Sequence, residues 1–240
     1  MRPLRLEIWL NSPMVAPDRP LHLDALVASA AYKSAERAEA ENPLAAIDEL
    51  PLGEIHRSGK ARGIWQASQL HLEQVGPIYW NHYVRRHEIS TWADSKQKGH
   101  WRGNRDEIPM GSGPQKGFSF YQPLINVKRA IAWCVGEEEA LRVLLESEII
   151  SLGRNGRAGF GRVNKIDITP CSENENEFWR RRALPLDLQE YKLPGHYKGT
   201  ANCRAPYWDR STWEQAWEYE VETPAASAEL MASTAGSLGL

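Results

Sequence analysis

Glycine stands at positions 153, 156, 159 and 161, four in nine residues, with Arg154, Arg157 and Arg162 interleaved. Neither a helix nor a strand keeps that density of glycine, because each one raises the entropy lost on folding and takes a side chain out of the packing. Residues 151–163 must therefore form a loop of tight turns. Before it, Glu137, Glu138 and Glu139 suit the positive end of a helix dipole, and Ala140, Leu141, Leu144, Leu145 and Ile149 recur at helical spacing. After it, Ile166 and Ile168 alternate with Lys165 and Asp167, as in a strand. The chain thus runs helix, loop, strand. Walker and dinucleotide-binding loops run the other way, from strand into helix, and the Gly-Lys-Ser/Thr that a Walker loop requires is absent.

The rest of the chain supplies elements of both kinds. Leu4, Leu6, Ile8 and Leu10 alternate with Arg5, Glu7 and Trp9, which predicts a strand that Asn11-Ser12-Pro13 ends. Leu23, Leu26, Val27, Ala30 and Ala31, continued by Ala35 and Ala38, predict an amphipathic helix that stops before Asn42-Pro43. Residues 64–75 read as a half-exposed strand, 84–89 as another, and 118–124 and 129–135 as two more. Reduced to strand, helix, strands, helix, strand, this order predicts a ferredoxin-like (RRM-like) β-α-β-β-α-β unit, an α+β domain over residues 1–170, with both helices on one face of an antiparallel sheet and the other face open. Residues 171–223 predict an irregular C-terminal lobe packed against that core, with Trp213 and Trp217 four apart. Residues 224–240, small and nearly uncharged, predict a flexible tail.

Between the middle strands, residues 91–117 hold five glycines, two prolines and five lysines or arginines. A connection that long without regular structure is usually functional when ordered. Charge is segregated along the chain. Residues 54–129 carry twelve basic against six acidic side chains and residues 153–165 four against none, although the whole chain nets −2. A basic zone on an otherwise acidic protein is an electrostatic footprint for a polyanion. Tryptophan outnumbers phenylalanine ten to four, with eight tyrosines, so most of the aromatic mass both stacks and hydrogen-bonds. The glycine loop adds backbone N–H groups and guanidinium forks that a phosphate chain could meet together. The bland alternative is that Gly153 caps a helix and that Gly159 and Gly161 merely ease a turn.

Gly159-Phe160-Gly161 at the end of such a loop, between a second helix and a last strand, resembles the glycine-rich mark of the repeat-associated mysterious proteins of CRISPR systems. Pro20-Leu-His-Leu-Asp-Ala-Leu26 is similar to the opening of the type IV effector subunit of the Csf-three, or Cas-five-like, family, and Arg204-Ala-Pro-Tyr-Trp-Asp209 adds to the resemblance. The resemblance implies a subunit that caps the 5′ handle of a guide RNA (crRNA), beside Cas-seven-like backbone subunits and a large subunit, and leaves contact with target DNA near the protospacer-adjacent motif open. It also implies that the 91–117 insertion acts as a thumb. Lys96, Lys98, Arg102, Arg105 and Lys116 would then meet phosphates, and Trp92 or Trp101 a base. In the glycine loop, Gly153, Arg154, Gly156, Arg157, Gly159, Phe160, Gly161 and Arg162 would line the RNA.

Catalysis is the competing expectation. Metal-independent RNA cleavage needs a base and an acid, and His22, His82 and His100 are the candidates, although no pair of them is fixed by sequence. His82 and His87, five apart, do not share a helical face and make a poor metal pair. Cys134, Cys171 and Cys203 stand far apart with no C-x-x-C spacing, so reduced structural thiols are expected, with no metal and no cofactor. No apolar run is long enough to span a membrane and no signal-peptide block opens the chain, which predicts a cytoplasmic protein without membrane partners. A protein-only adaptor with an acidic surface is the third reading, and it leaves the basic segregation unused.

Overall fold

The computed structural model describes residues 1–60, 62–85, 97, 117–207 and 209–220. Its spine is strand β1 (Arg2–Leu10), in which Leu4, Leu6 and Ile8 are all fully buried on one face. Burying each such side chain stabilises the fold by roughly 1.5–3 kcal/mol. After β2 (Met14–Val15) comes helix α1 (Leu23–Arg37), and after β3 (Glu54–Ile55), β4 (Ile64–Trp65) and β5 (His71–Gln74) comes the hairpin β6 (Tyr79–Arg85) and β7 (Phe118–Ile125). Strand β8 (Val127–Gly136), helix α2 (Glu138–Glu148) and strand β9 (Val163–Pro170) follow, and then β10 (Leu184–Pro185), β11 (His196–Ala201) and β12 (Glu214–Tyr219).

Strands β5, β8, β1 and β9 form one antiparallel sheet in that order. Leu6 faces Ala132 on β8 and Ile168 on β9, and Ile8 faces Ala130 and Ile166, so the alternation of β1 propagates across its neighbours. Helix α1 packs against α2 and β8, and α2 against β9, with Leu23, Val27, Leu141 and Leu145 buried. The fold is α+β, with antiparallel sheets and two α-helices among the described residues. By contact density, residues Met1–Pro77 and Ile125–Leu240 make one compact unit and Ile78–Leu124 a second.

The stretch 64–75 departs from a single half-exposed strand. Ile64 and Trp65 are buried, and Ile64 belongs to a second core with Trp179, Ala183, Leu184, Leu188, Cys203 and Ala216, while His71–Gln74 joins the main sheet as a strand and Ala67 touches it through a single bridge to Cys134. Residues beyond 171 are also more regular than expected: β10, β12 and β11 form an antiparallel sheet, and Trp217 lies in a strand, so its spacing from Trp213 marks no helix. Nor is the second face of the main sheet open. Arg129 bridges Glu7 at 2.7 Å and Glu73 at 2.5 Å and lies over Trp9, while Trp133 meets Phe178 edge-on and donates its Nε1–H to Glu175 at 3.1 Å. Carboxylates and the Phe178–Arg180 turn cover what an isolated domain would leave to solvent.

One side chain ties the second core to the first. Arg182 is completely buried and donates to the carbonyls of Trp65 (2.6 Å), Ala67 (2.9 Å) and Cys203 (2.6 Å), to the Tyr207 hydroxyl (2.8 Å) and to Asp24 in the first turn of α1 (3.2 Å). Tyr207 in turn donates to Asp24 at 2.9 Å. Burial opposes the Arg182 charge and Asp24 favours it, with the balance upward, so the guanidinium stays ionised inside the protein. The carbonyl of Arg182 itself accepts from His196 Nε2 at 3.0 Å, and Leu193 N–H donates to His196 Nδ1. Removing one partner of a buried pair leaves an uncompensated charge. Asp24→Ala is therefore expected to cost about 3–5 kcal/mol or to prevent folding, and Tyr207→Phe about 1–2 kcal/mol, both read from urea unfolding.

Candidate functional site

The glycine-rich loop is built on the turn that ends β1. Ser12 Oγ donates to the Gly159 carbonyl and accepts from Arg162 N–H, both at 2.8 Å; Gly161 N–H donates to the Pro13 carbonyl at 2.7 Å, and Asn11 N–H to the Arg162 carbonyl at 3.0 Å. Gly153, Gly159 and Gly161 all adopt positive φ, and a short 3₁₀ turn spans Gly156–Ala158. Helix α2 ends at Glu148, so Gly153 is not its cap. The glycines differ in what they permit. A Cβ on Gly161 would lie 2.1 Å from the Leu152 carbonyl oxygen, whereas one on Gly159 would meet nothing within 4 Å.

Pinned this way, the loop turns its arginines outward. Arg154 holds Asp18 through two contacts of 2.8 and 2.9 Å, while Arg157 and Arg162 are exposed and make no ion pair among the described residues. Phe160 is half-buried. A different cleft, of about 610 Å³, also contains arginines, but their charge is already matched. Arg57 sits between Asp187 and Glu214 at 2.6 Å each, Arg62 on Asp48 at 2.8 Å and Arg204 on Glu54 at 2.5 Å. Free guanidinium groups for an anion are thus on the loop, not in the cleft.

The described residues of the second unit hold a hairpin with aromatic side chains on both faces. Tyr79 pairs with Leu124, Trp80 with Pro123, His82 with Tyr121, Val84 with Ser119 and Arg85 with Phe118. Since side chains alternate across a strand, Trp80, His82, Val84 and Tyr121 share one face, and Tyr79, Tyr83, Phe118 and Phe120 the other. His82 stacks on Tyr121 with centroids 4.4 Å apart, and its Nε2 lies 2.8 Å from Ser119 Oγ. Tyr83 and Phe120 stack at 5.3 Å. Trp80 is 62% exposed and Tyr121 64%, with Val84, Phe118 and Phe120 also exposed. Exposed aromatic rings of this kind are common at interaction sites. The expected strand at 84–89 begins earlier, at Tyr79, and Arg85 is its last described residue.

Trp92, Lys96, Lys98, Trp101, Arg102, Arg105 and Lys116, together with His87 and His100, lie outside the described residues, as do the expected tail at 224–240 and most of the 91–117 insertion. By connectivity, β6 and β7 frame that insertion, since their pairing runs out to Arg85 and Phe118. His22 belongs to neither the hairpin nor the glycine loop. It precedes α1, stacks on Tyr207 with centroids 4.2 Å apart, and has its Nδ1 buried without a hydrogen-bond partner. Desolvation lowers its pKa to about 4, Asp24 opposing and Arg182 adding to the shift. The two stretches that carry the family resemblance, 20–26 and 204–209, therefore meet around Arg182: His22 and Asp24 come from one and Tyr207 from the other.

Among the described residues no group of three or more His, Cys, Asp or Glu is placed to hold a metal, and no helix is long and apolar enough to cross a membrane. The three cysteines are free, and burial pushes the Cys203 thiol up to about 12 and Cys171 to about 11.

The described residues thus make an α+β protein of antiparallel sheets that presents a glycine-arginine loop and a hairpin of exposed aromatic rings. The family model described as CRISPR type IV associated protein Csf3 matches residues 2–219, and the chain belongs to that family. No curated protein matches the chain.

Gly161→Ala is expected to cost more than the about 1–3 kcal/mol of left-handed strain alone, because its Cβ meets a carbonyl. Gly159→Ala is expected to cost only that strain, and the comparison is read from paired melting curves. The depressed His22 pKa makes stability complete above pH ~6.5 and lost as pH falls toward 4. Urea unfolding at pH 5 should show the native protein weakened by about 1–2 kcal/mol relative to pH 7, and His22→Phe should remove much of that difference.

Proposed function

We propose that this chain is the guide-RNA-binding subunit of a type IV CRISPR effector complex, capping the 5′ handle of the crRNA. The four-stranded sheet is read as a ferredoxin-like (RRM-like) core of the repeat-associated mysterious protein kind, supported by the strand order β5-β8-β1-β9 with one helix after β1 and one after β8. The observation that carries the functional reading is the hairpin. It exposes aromatic rings and frames a segment whose sequence is rich in Lys and Arg. Single-stranded RNA is held by bases stacked on rings and by phosphates near cations, which is the pairing this hairpin and its insertion offer. Arg157 and Arg162 on the glycine loop supply further phosphate contacts.

In this reading the work is done by many weak contacts, and no acid–base group is required. The neighbouring partners are the backbone and large subunits, with target DNA a further candidate. The competing reading, a crRNA-processing endoribonuclease, rests on His82, which is exposed beside Ser119 Oγ and against the Tyr121 ring. Histidine with tyrosine is a workable acid–base set for 2′-hydroxyl attack.

Titration of the purified chain with repeat-derived RNA decides between them. Affinity is expected to fall steeply with salt, as counterions released by bound phosphates require. Trp80→Ala and Tyr121→Ala are each expected to weaken binding by about 1–3 kcal/mol, the worth of one stacked base. Unchanged affinity in both variants, or equal affinity for an unrelated RNA, would overturn the assignment. His82→Ala should leave the RNA intact as in the native protein. Specific cleavage by the native chain that disappears in that variant establishes the endoribonuclease instead.

A further inference from the structure

Away from the loop and the hairpin, α2 borders a groove of about 830 Å³. Leu50, Val143 and Leu144 give it an apolar lining, and Val143 is 61% exposed. Every charged side chain in the lining is acidic: Glu49, Glu137 and Glu139. None of the three makes an ion pair among the described residues, although Glu138, between two of them in sequence, is held by Arg2 and Arg142. Helix dipole alone does not account for the set, since Glu49 lies outside α2.

We propose that this groove docks a basic segment of a neighbouring protein subunit, one that inserts an apolar side chain toward Val143 and Leu144 and sets Lys or Arg against the three glutamates. The charge selects the occupant. Phosphates of RNA or DNA would be repelled by unpaired carboxylates, and complementary charge at the rim speeds encounter and excludes wrong partners. A second copy of this chain is disfavoured for the same reason. A twofold dimer brings one patch against itself, and here that would set carboxylates against carboxylates. The inference uses family membership only to supply the complex and does not depend on the RNA assignment.

The experiment places a photo-crosslinking amino acid at position 143 of the full chain, assembled with guide RNA and with the backbone or the large subunit in turn. A crosslink to a Lys- or Arg-bearing apolar segment of one subunit is expected. The combined Glu49→Gln, Glu137→Gln and Glu139→Gln variant should bind that subunit about tenfold more weakly and with less salt dependence. Val143→Lys, an exposed change that puts a cation in the groove, should weaken the same association. RNA affinity of the isolated chain, measured in parallel, should be unchanged in both variants and shows that they are folded. A crosslink to RNA or to a second copy, or native-like assembly by both variants, overturns the proposal. Loss of RNA binding by the unmodified chain would instead count against the RNA assignment and leave this test readable.

Discussion

A guanidinium shut away from water organises this protein. Arg182 has lost its hydration, and its position is tolerable only while four backbone carbonyls, a phenol and a carboxylate surround it. Apart from the adjacent Ala183 carbonyl, those groups come from chain segments far apart: Asp24 from α1, the Trp65 carbonyl from the end of β4 and that of Ala67 from just after it, and Cys203 and Tyr207 from beyond β11. Each must arrive for the others to be satisfied. A buried ion pair is weak evidence of stability relative to an apolar core. What it does supply here is registry, because two hydrophobic cores that could slide past each other are fixed at one point.

With its body held in this way, the molecule separates its charges. Several arginines of the body are matched: Arg57, Arg129, Arg142 and Arg204 each contact at least one carboxylate. Arg157 and Arg162, on the glycine loop, are left to solvent without a partner among the described residues. The loop can present them because its backbone is anchored by Ser12 and Pro13, so that exposure does not mean looseness. Preorganised charge of this kind binds an anion without first ordering a segment.

The main sheet and both helices were legible because their signals are local and periodic: Leu4, Leu6 and Ile8 alternate, and Leu141 and Leu145 fall on one helical stripe. The second core was not. Ile64 and Trp65 resemble the start of the strand that holds Leu72, and only a partner more than a hundred residues away decides that Ile64 packs with Trp179 and Leu184. Arg182 follows Arg180 and Arg181 in a run that reads as a solvated basic patch, and nothing local singles out the buried one. In the glycine loop the spacing announces turns, but the difference between Gly159 and Gly161 depends on where the Leu152 carbonyl sits. The hairpin aromatics had a signal that went unused. Tyr79-Trp-Asn-His-Tyr-Val84 after Gly76-Pro77 is dense in strand-forming residues, and Phe118 and Phe120 alternate opposite it.

Val75 N–H donates to the Asn126 carbonyl at 2.8 Å, and Gln74 pairs with Val127. Closing β5 onto β8 therefore spans the whole connection between Gln74 and Val127. The entropy lost in such a closure grows only with the logarithm of the length enclosed, by about 0.6 kcal/mol for each doubling. Added length in that connection is thus cheap for the pairing that flanks it, which is why a sheet can carry a long insertion between two neighbouring strands and keep its register.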